Sequence, residues 1–261
     1  MPVLRRMDKI MILCLAGLEC NWEIFEEKLK INPEWNNFCE LPILMSFYYI
    51  TNKIEKRIKI FDTFFLDSGA FTFFSSGKTV VWEEYIDKYA EFINRNKIKH
   101  FFELDIDCLV GVEKTLLLRE RLEKATGRQS IPVWHISRGI EQFKKDADSY
   151  SYVALGGIVS GEWGRRGQQI FPWFIKEAHR RGAKIHGLGY TSLSGIEKNH
   201  FDSVDSTSWT CGNRFGYLDV FDGSTIKKRS IPPGKKLIPF PAKFHNFNEW
   251  VKFSNYARYK F

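Results

Sequence analysis

FDSVDSTSW, residues 201–209, sets Val204, Ser206 and Ser208 against Asp205, Thr207 and Trp209, an alternation of period two that predicts a short strand. Asp205 stands where the apolar pattern gives way to small polar residues, so its carboxylate is expected to face a site rather than a core. FFLDSGAFT (64–72) and FFELDIDC (101–108) repeat the design, each an apolar run leading into aspartate. Three strand-end aspartates, Asp67, Asp105 and Asp205, imply one shared pocket. Helix capping and turn initiation, the ordinary work of aspartate after a strand, account for each of them singly.

Outward from these runs, eight apolar segments predict strands at 10–15, 43–48, 63–67, 100–105, 132–136, 152–157, 184–189 and 203–207, with amphipathic helical segments in most of the gaps. Residues 82–94, 112–125 and 171–181 are examples, the last closed by Gly182 in a C-cap position. Strands alternating with helices argue for parallel βα units, and eight units close into a (β/α)8 TIM-type barrel; six or seven would give an open doubly wound sheet. The barrel is preferred because polar and glycine signals collect just after the strands, where that fold keeps its sites.

The chain has 261 residues, 44% of them hydrophobic, enough for a sizeable core. Its formal charge is +8. Nine Lys and Arg against one acid, Glu249, lie in 224–261, so the remainder is formally neutral. The expected organisation is therefore a catalytic barrel over 1–223 and a basic, aromatic C-terminal connector and helix over 224–261 packed on it. Lys227, Lys228, Arg229, Lys235 and Lys236, interleaved downstream with rings such as Phe247, Trp250 and Phe253, suit phosphate contacts and base stacking. An amphipathic closing helix with solvated lysines explains the same pattern, and both can hold.

Five cysteines without ligand spacing argue for reduced thiols in a cytoplasmic protein and against a zinc site. The apolar run 10–18 is too short to span a membrane and predicts a first buried strand.

The order DSGAF, LDID, HISRG, ALGGIVSGE, HGLG, VDS resembles the tRNA-guanine transglycosylase superfamily, including its smaller relatives that place 7-deazaguanines in DNA. Segments similar to DSGGFQ, FDEC or LDI, VQGG, IGGLAVGE, MGVG and FDC occur there in the same order, and the likeness runs over 64–210. The resemblance implies that Asp205 is the nucleophile attacking C1′ of a guanosine and that Asp67 moves the base proton, with Ser68 beside the ribose. It implies that Asp105, or Asp107 in a less favoured register, reads the Watson–Crick edge. It places Gly156, Gly157 and Ile158 against the purine, Glu162 as a buttress of their loop, and His186 and Gly187 as a floor under the stacked base. A tight strand-to-helix turn explains the glycine pair equally well.

Two departures bear on this. HISRG replaces VQGG, so His135 contacts base or phosphate or is a core histidine, and Arg138 is a phosphate or carbonyl donor. The family's three zinc-binding cysteines have no counterpart beyond Cys211, which ranks DNA above tRNA. The expected activity is exchange of guanine for a free 7-deazaguanine base, without cofactor or metal. A tRNA-directed enzyme, a non-catalytic nucleic-acid-binding barrel and a barrel glycosidase acting on free nucleosides are the alternatives.

Overall fold

In the computed structural model, which describes residues 11–76, 80–232, 234 and 236–261, all eight expected strands are present. They are β1 (Ile12–Ala16), β2 (Ile43–Ser46), β3 (Phe64–Asp67), β4 (His100–Phe101), β5 (Val133–Trp134), β6 (Tyr152–Leu155), β7 (Lys184–Gly187) and β8 (Ser203–Ser206). Every pairing among them is parallel, in the order β4-β3-β2-β1-β8-β7-β6-β5. A parallel bridge between Phe102 and Ile131 brings the two ends of that order together. With helices between the strands, this is a (β/α)8 TIM-type fold.

Strand parity sorts the side chains. Cys14, Ala16, Phe65, Phe102, Val133, Tyr152 and Ala154 form one buried cluster inside the barrel. Their neighbours Leu13, Leu15, Leu66, Val153 and Leu155 join a larger core beneath the helices. Each large apolar side chain so buried contributes about 1.5–3 kcal/mol. Continuing the inner parity upward, Asp67 follows Phe65, His135 follows Val133, Gly156 follows Ala154 and Asp205 follows Ser203. The alternation that fills the barrel therefore aims these four residues at its C-terminal mouth.

After β8 the chain forms an antiparallel hairpin, β9 (Tyr217–Phe221) with β10 (Ile226–Ser230), and then the helix Pro239–Lys260. The 223/224 boundary falls inside the hairpin turn, and the helix is the eighth of the barrel. Ser254 Oγ donates to the Leu13 carbonyl of β1 at 2.7 Å, Trp250 Nε1 donates to Asp219 of β9 at 2.8 Å, and Phe247 packs on Trp209. Barrel and tail thus form one unit. Phe247, Trp250 and Phe253 are buried in its core, which removes them as stacking platforms for nucleic acid. Among the described residues no helix is long and apolar enough to cross a membrane.

Candidate active site at the mouth of the barrel

Asp205 is held at the mouth through one oxygen. Its Oδ1 accepts the Gly189 N–H at 2.6 Å and lies 3.2 Å from His186 Nε2. Behind it runs a buried chain: His186 Nδ1 to Ser203 Oγ at 2.5 Å, and Ser203 Oγ to Tyr152 Oη at 2.5 Å. Tyr152 donating to Ser203, and Ser203 to Nδ1, leaves the proton on Nε2, aimed at Asp205. One carboxylate oxygen is thereby fixed while Oδ2 remains for chemistry. His186 has no exposed surface, so it supports Asp205 from below; the expected role as an exposed floor for a base does not fit. Gly187 sits in a tight spot, where a Cβ would stand 3.1 Å from Tyr190 and 3.3 Å from Phe201 and would press on both.

Asp67, at the end of β3, accepts the Gly69 N–H at 2.9 Å. Burial, opposed by that bond and reinforced by the charges of Asp105, Asp205 and Glu19, pushes its carboxyl up to about 7. A carboxyl raised that far can keep its proton towards neutral pH, which suits an acid that must next act as a base. Ser68 is not beside a sugar: it is fully buried, and its Oγ accepts the Ala70 N–H within the turn. Gly69 has φ +71°, and a Cβ there would stand 2.4 Å from Ser46 Oγ, so the turn presenting Asp67 needs glycine.

A third group joins the loops after β4, β5 and β6. His135 lies between two carboxylates, with Nε2 2.5 Å from Asp105 and Nδ1 2.7 Å from Glu162. Burial lowers its affinity for a proton, but the hydrogen bond and charge of Asp105, then those of Glu162, outweigh it and push the imidazole up to about 9. Glu162 also accepts the Ile136 N–H at 2.7 Å, and its own N–H donates to the Gly157 carbonyl at 3.1 Å. Glu162 therefore ties the glycine loop to the turn after β5. Gly156 and Gly157 admit no side chain: a Cβ on Gly156 would lie 2.5 Å from His135, and one on Gly157 2.0 Å from Glu162. Ile158 packs partly against the core beside them.

Two expectations are corrected here. The Arg138 side chain has no exposure and can reach neither phosphate nor base. Its Nε and Nη2 grip Asp107 at 2.6 and 2.7 Å, and Nη1 donates to Glu103 at 2.7 Å. The same grip takes Asp107 away from the mouth, leaving Asp105 as the base-reading candidate. Glu103, fully buried, also accepts the Val133 N–H at 2.5 Å, so this ion network ties β4 to β5 where the barrel closes.

The sequence reading missed Glu19, three residues beyond β1. Its Oε1 accepts the Ser46 N–H at 3.0 Å, while Oε2 is buried with no partner, and burial pushes the carboxyl up to about 7. Ser46 pairs in register with Asp67, so Glu19 fastens the strand end beside Asp67. The polar break in CLAGLE was the available signal.

Of the basic residues expected to meet phosphate, Lys227, Lys228, Arg229 and Lys236 are exposed; Lys235 lies outside the described residues. Lys227 bridges Asp222 at 2.7 Å, and Lys228 covers the Tyr217 ring at 4.4 Å. Among the described residues no group of three or more His, Cys, Asp or Glu is arranged to hold a metal ion.

No family model matches the chain. No curated protein matches it in sequence. Solved structures do match, among them a "putative fructose-1,6-biphosphate aldolase from Coccidioides immitis", 11% identical, with a TM-score of 0.57 over 96% of this chain and 90% of that one. At that identity the likeness is one of fold alone, and the fold it shares is the TIM-type barrel.

Proposed function

We propose that this chain is a guanine transglycosylase that exchanges guanine in nucleic acid, preferentially DNA, for a free 7-deazaguanine base in the cytoplasm. The observation that carries this reading is the pairing of one oriented carboxylate, Asp205 with Oδ2 left free, with a second carboxyl, Asp67, balanced near neutrality at the same barrel mouth. Oδ2 of Asp205 attacks C1′ of the target nucleotide. The C1′–N9 bond breaks, and its electron pair leaves with guanine, which takes the proton of Asp67. A glycosyl ester on Asp205 remains. The incoming base then gives its N9 proton to the Asp67 carboxylate and attacks C1′, and Asp205 departs as carboxylate. Two inversions restore the β configuration. Asp105, held by His135, accepts hydrogen bonds from the base edge, and the side-chain-free Gly156–Gly157 backbone lets a flat ring approach closely. A target base must leave its stack to enter such a mouth.

The test is incubation of the protein with DNA or tRNA and isotopically labelled guanine, followed by mass spectrometry of the nucleosides. Label in deoxyguanosine supports the proposal, and label in guanosine of tRNA alone reassigns the substrate. No label in either pool refutes base exchange.

A further inference from the structure

We propose that His135 is a positioning residue rather than a substrate ligand: as an imidazolium it donates one ring N–H to Asp105 and the other to Glu162, locking the base-reading carboxylate to the glycine loop. Its role in base reading rests on the transglycosylase reading above; the clamp itself does not. Both ring nitrogens are used, at 2.5 and 2.7 Å, so none is left for a base or a phosphate. A neutral imidazole has a single N–H and would leave one carboxylate facing a bare nitrogen lone pair. Two flanking carboxylates therefore select the doubly protonated ring, which agrees with its affinity for protons being pushed up.

The clamp joins three strand ends. Asp105 follows β4, His135 follows β5, and Glu162 follows β6 and bonds the Ile136 N–H. The ring also sits where a Gly156 Cβ would be, so ring and loop fix each other. Asp105 thereby spends Oδ1 on His135 and presents Oδ2 alone. The other charged groups nearby do not compete for the ring: Arg138 is bound to Glu103 and Asp107, and the Cys108 thiol, raised by burial and by Asp105, stays neutral. Deprotonation of His135 is then expected to loosen Asp105 and the loop together, weakening the hold on the base without touching the nucleophile.

The experiment has a substrate-free arm and a kinetic arm. In the first, the imidazole Cε1–H resonances are followed against pH, and the one missing from His135→Gln is assigned to His135. A midpoint near 9, against the ordinary 6.5, is expected. Glu162→Gln keeps the ring but removes one carboxylate, and should lower that midpoint by about one unit or more. A midpoint at the ordinary value, or one indifferent to Glu162→Gln, overturns the clamp whether or not the protein exchanges bases. In the second arm, guanine exchange into a guanine-containing oligodeoxynucleotide should show the KM for free guanine raised ~10-fold in His135→Gln, with kcat within about three-fold. A loss confined to kcat overturns the positioning role. If the wild-type protein exchanges no base, the function reading fails while the titration still decides the clamp.

Discussion

The amide of Gly189 donates to Oδ1 of Asp205 across 2.6 Å, and the same oxygen faces His186 Nε2 at 3.2 Å. Both donors converge on one atom, so an asparagine could keep them with its own carbonyl oxygen while placing an amide nitrogen where Oδ2 stands. An amide nitrogen cannot form the sugar ester. Asp205→Asn is expected to melt within about 3 °C of wild type and to lose base exchange by at least about a thousand-fold. Exchange near the wild-type rate in a folded Asp205→Asn protein would remove Asp205 as nucleophile.

Asp67 and Glu19 make stability depend on pH with an uncommon sign. Both carboxyls are raised to about 7 by burial, from 3.8 for Asp67 and 4.5 for Glu19, so between those values and 7 the folded protein binds protons that the unfolded chain has released. Stability therefore falls as pH rises through that window. Glu19→Gln keeps an acceptor for the Ser46 N–H and removes the burden of a buried charge. It should melt like wild type near pH 5 and higher than wild type near pH 8. Parallel melting curves for the two proteins across that range would mean that Glu19 is not protonated in the fold.

Arg138 distinguishes a buried structural cation from a phosphate contact. Arg138→Met strips Asp107 of its cation and leaves Glu103 with only Arg119, 3.8 Å away, and breaking a buried ion network of this kind costs about 3–5 kcal/mol. Chemical denaturation should register that loss, whereas the salt dependence of nucleic-acid binding by the folded variant should match wild type. A flattened salt dependence with unchanged stability would reverse the assignment.

The strands were legible because barrel strands are buried on both faces and announce themselves as apolar runs. The mouth residues Asp67, Asp105 and Asp205 were legible because polarity breaks in just where such runs end. Arg138 was misread since nothing local reveals Glu103, which arrives from the segment after β4, 35 residues away. Ser68 and His186 sit in motifs that point to the mouth, yet a turn and the inner barrel layer bury them. Glu19 went unseen because Gly17 and Leu18 separate it from β1, and only the fold brings it to Ser46. The final helix looked like an appendage because a hairpin intervenes between β8 and the helix that completes the barrel.

The hairpin is where the basic surplus meets solvent. Lys227, Lys228 and Arg229 are consecutive on β10, and Lys236 follows in the connector, all exposed. Of the rings on the following helix, Phe247, Trp250 and Phe253 are taken up by the core while Phe240 and Tyr259 stay exposed, so charge rather than an array of stacking rings is the main thing this surface offers. Binding to DNA should then be governed by counterion release. Each phosphate neutralised contributes roughly −0.9 to the slope of log affinity against log salt, and Lys227, already bridged to Asp222, is expected to contribute least. Replacing Lys228, Arg229 and Lys236 with glutamine should flatten the slope by about 2–3 and raise the apparent KM for DNA, with kcat at saturating DNA within about two-fold. Under the proposed function these side chains are expected to position the strand without touching a reacting atom. An unchanged slope in the triple variant would place the phosphate contacts on another face of the barrel.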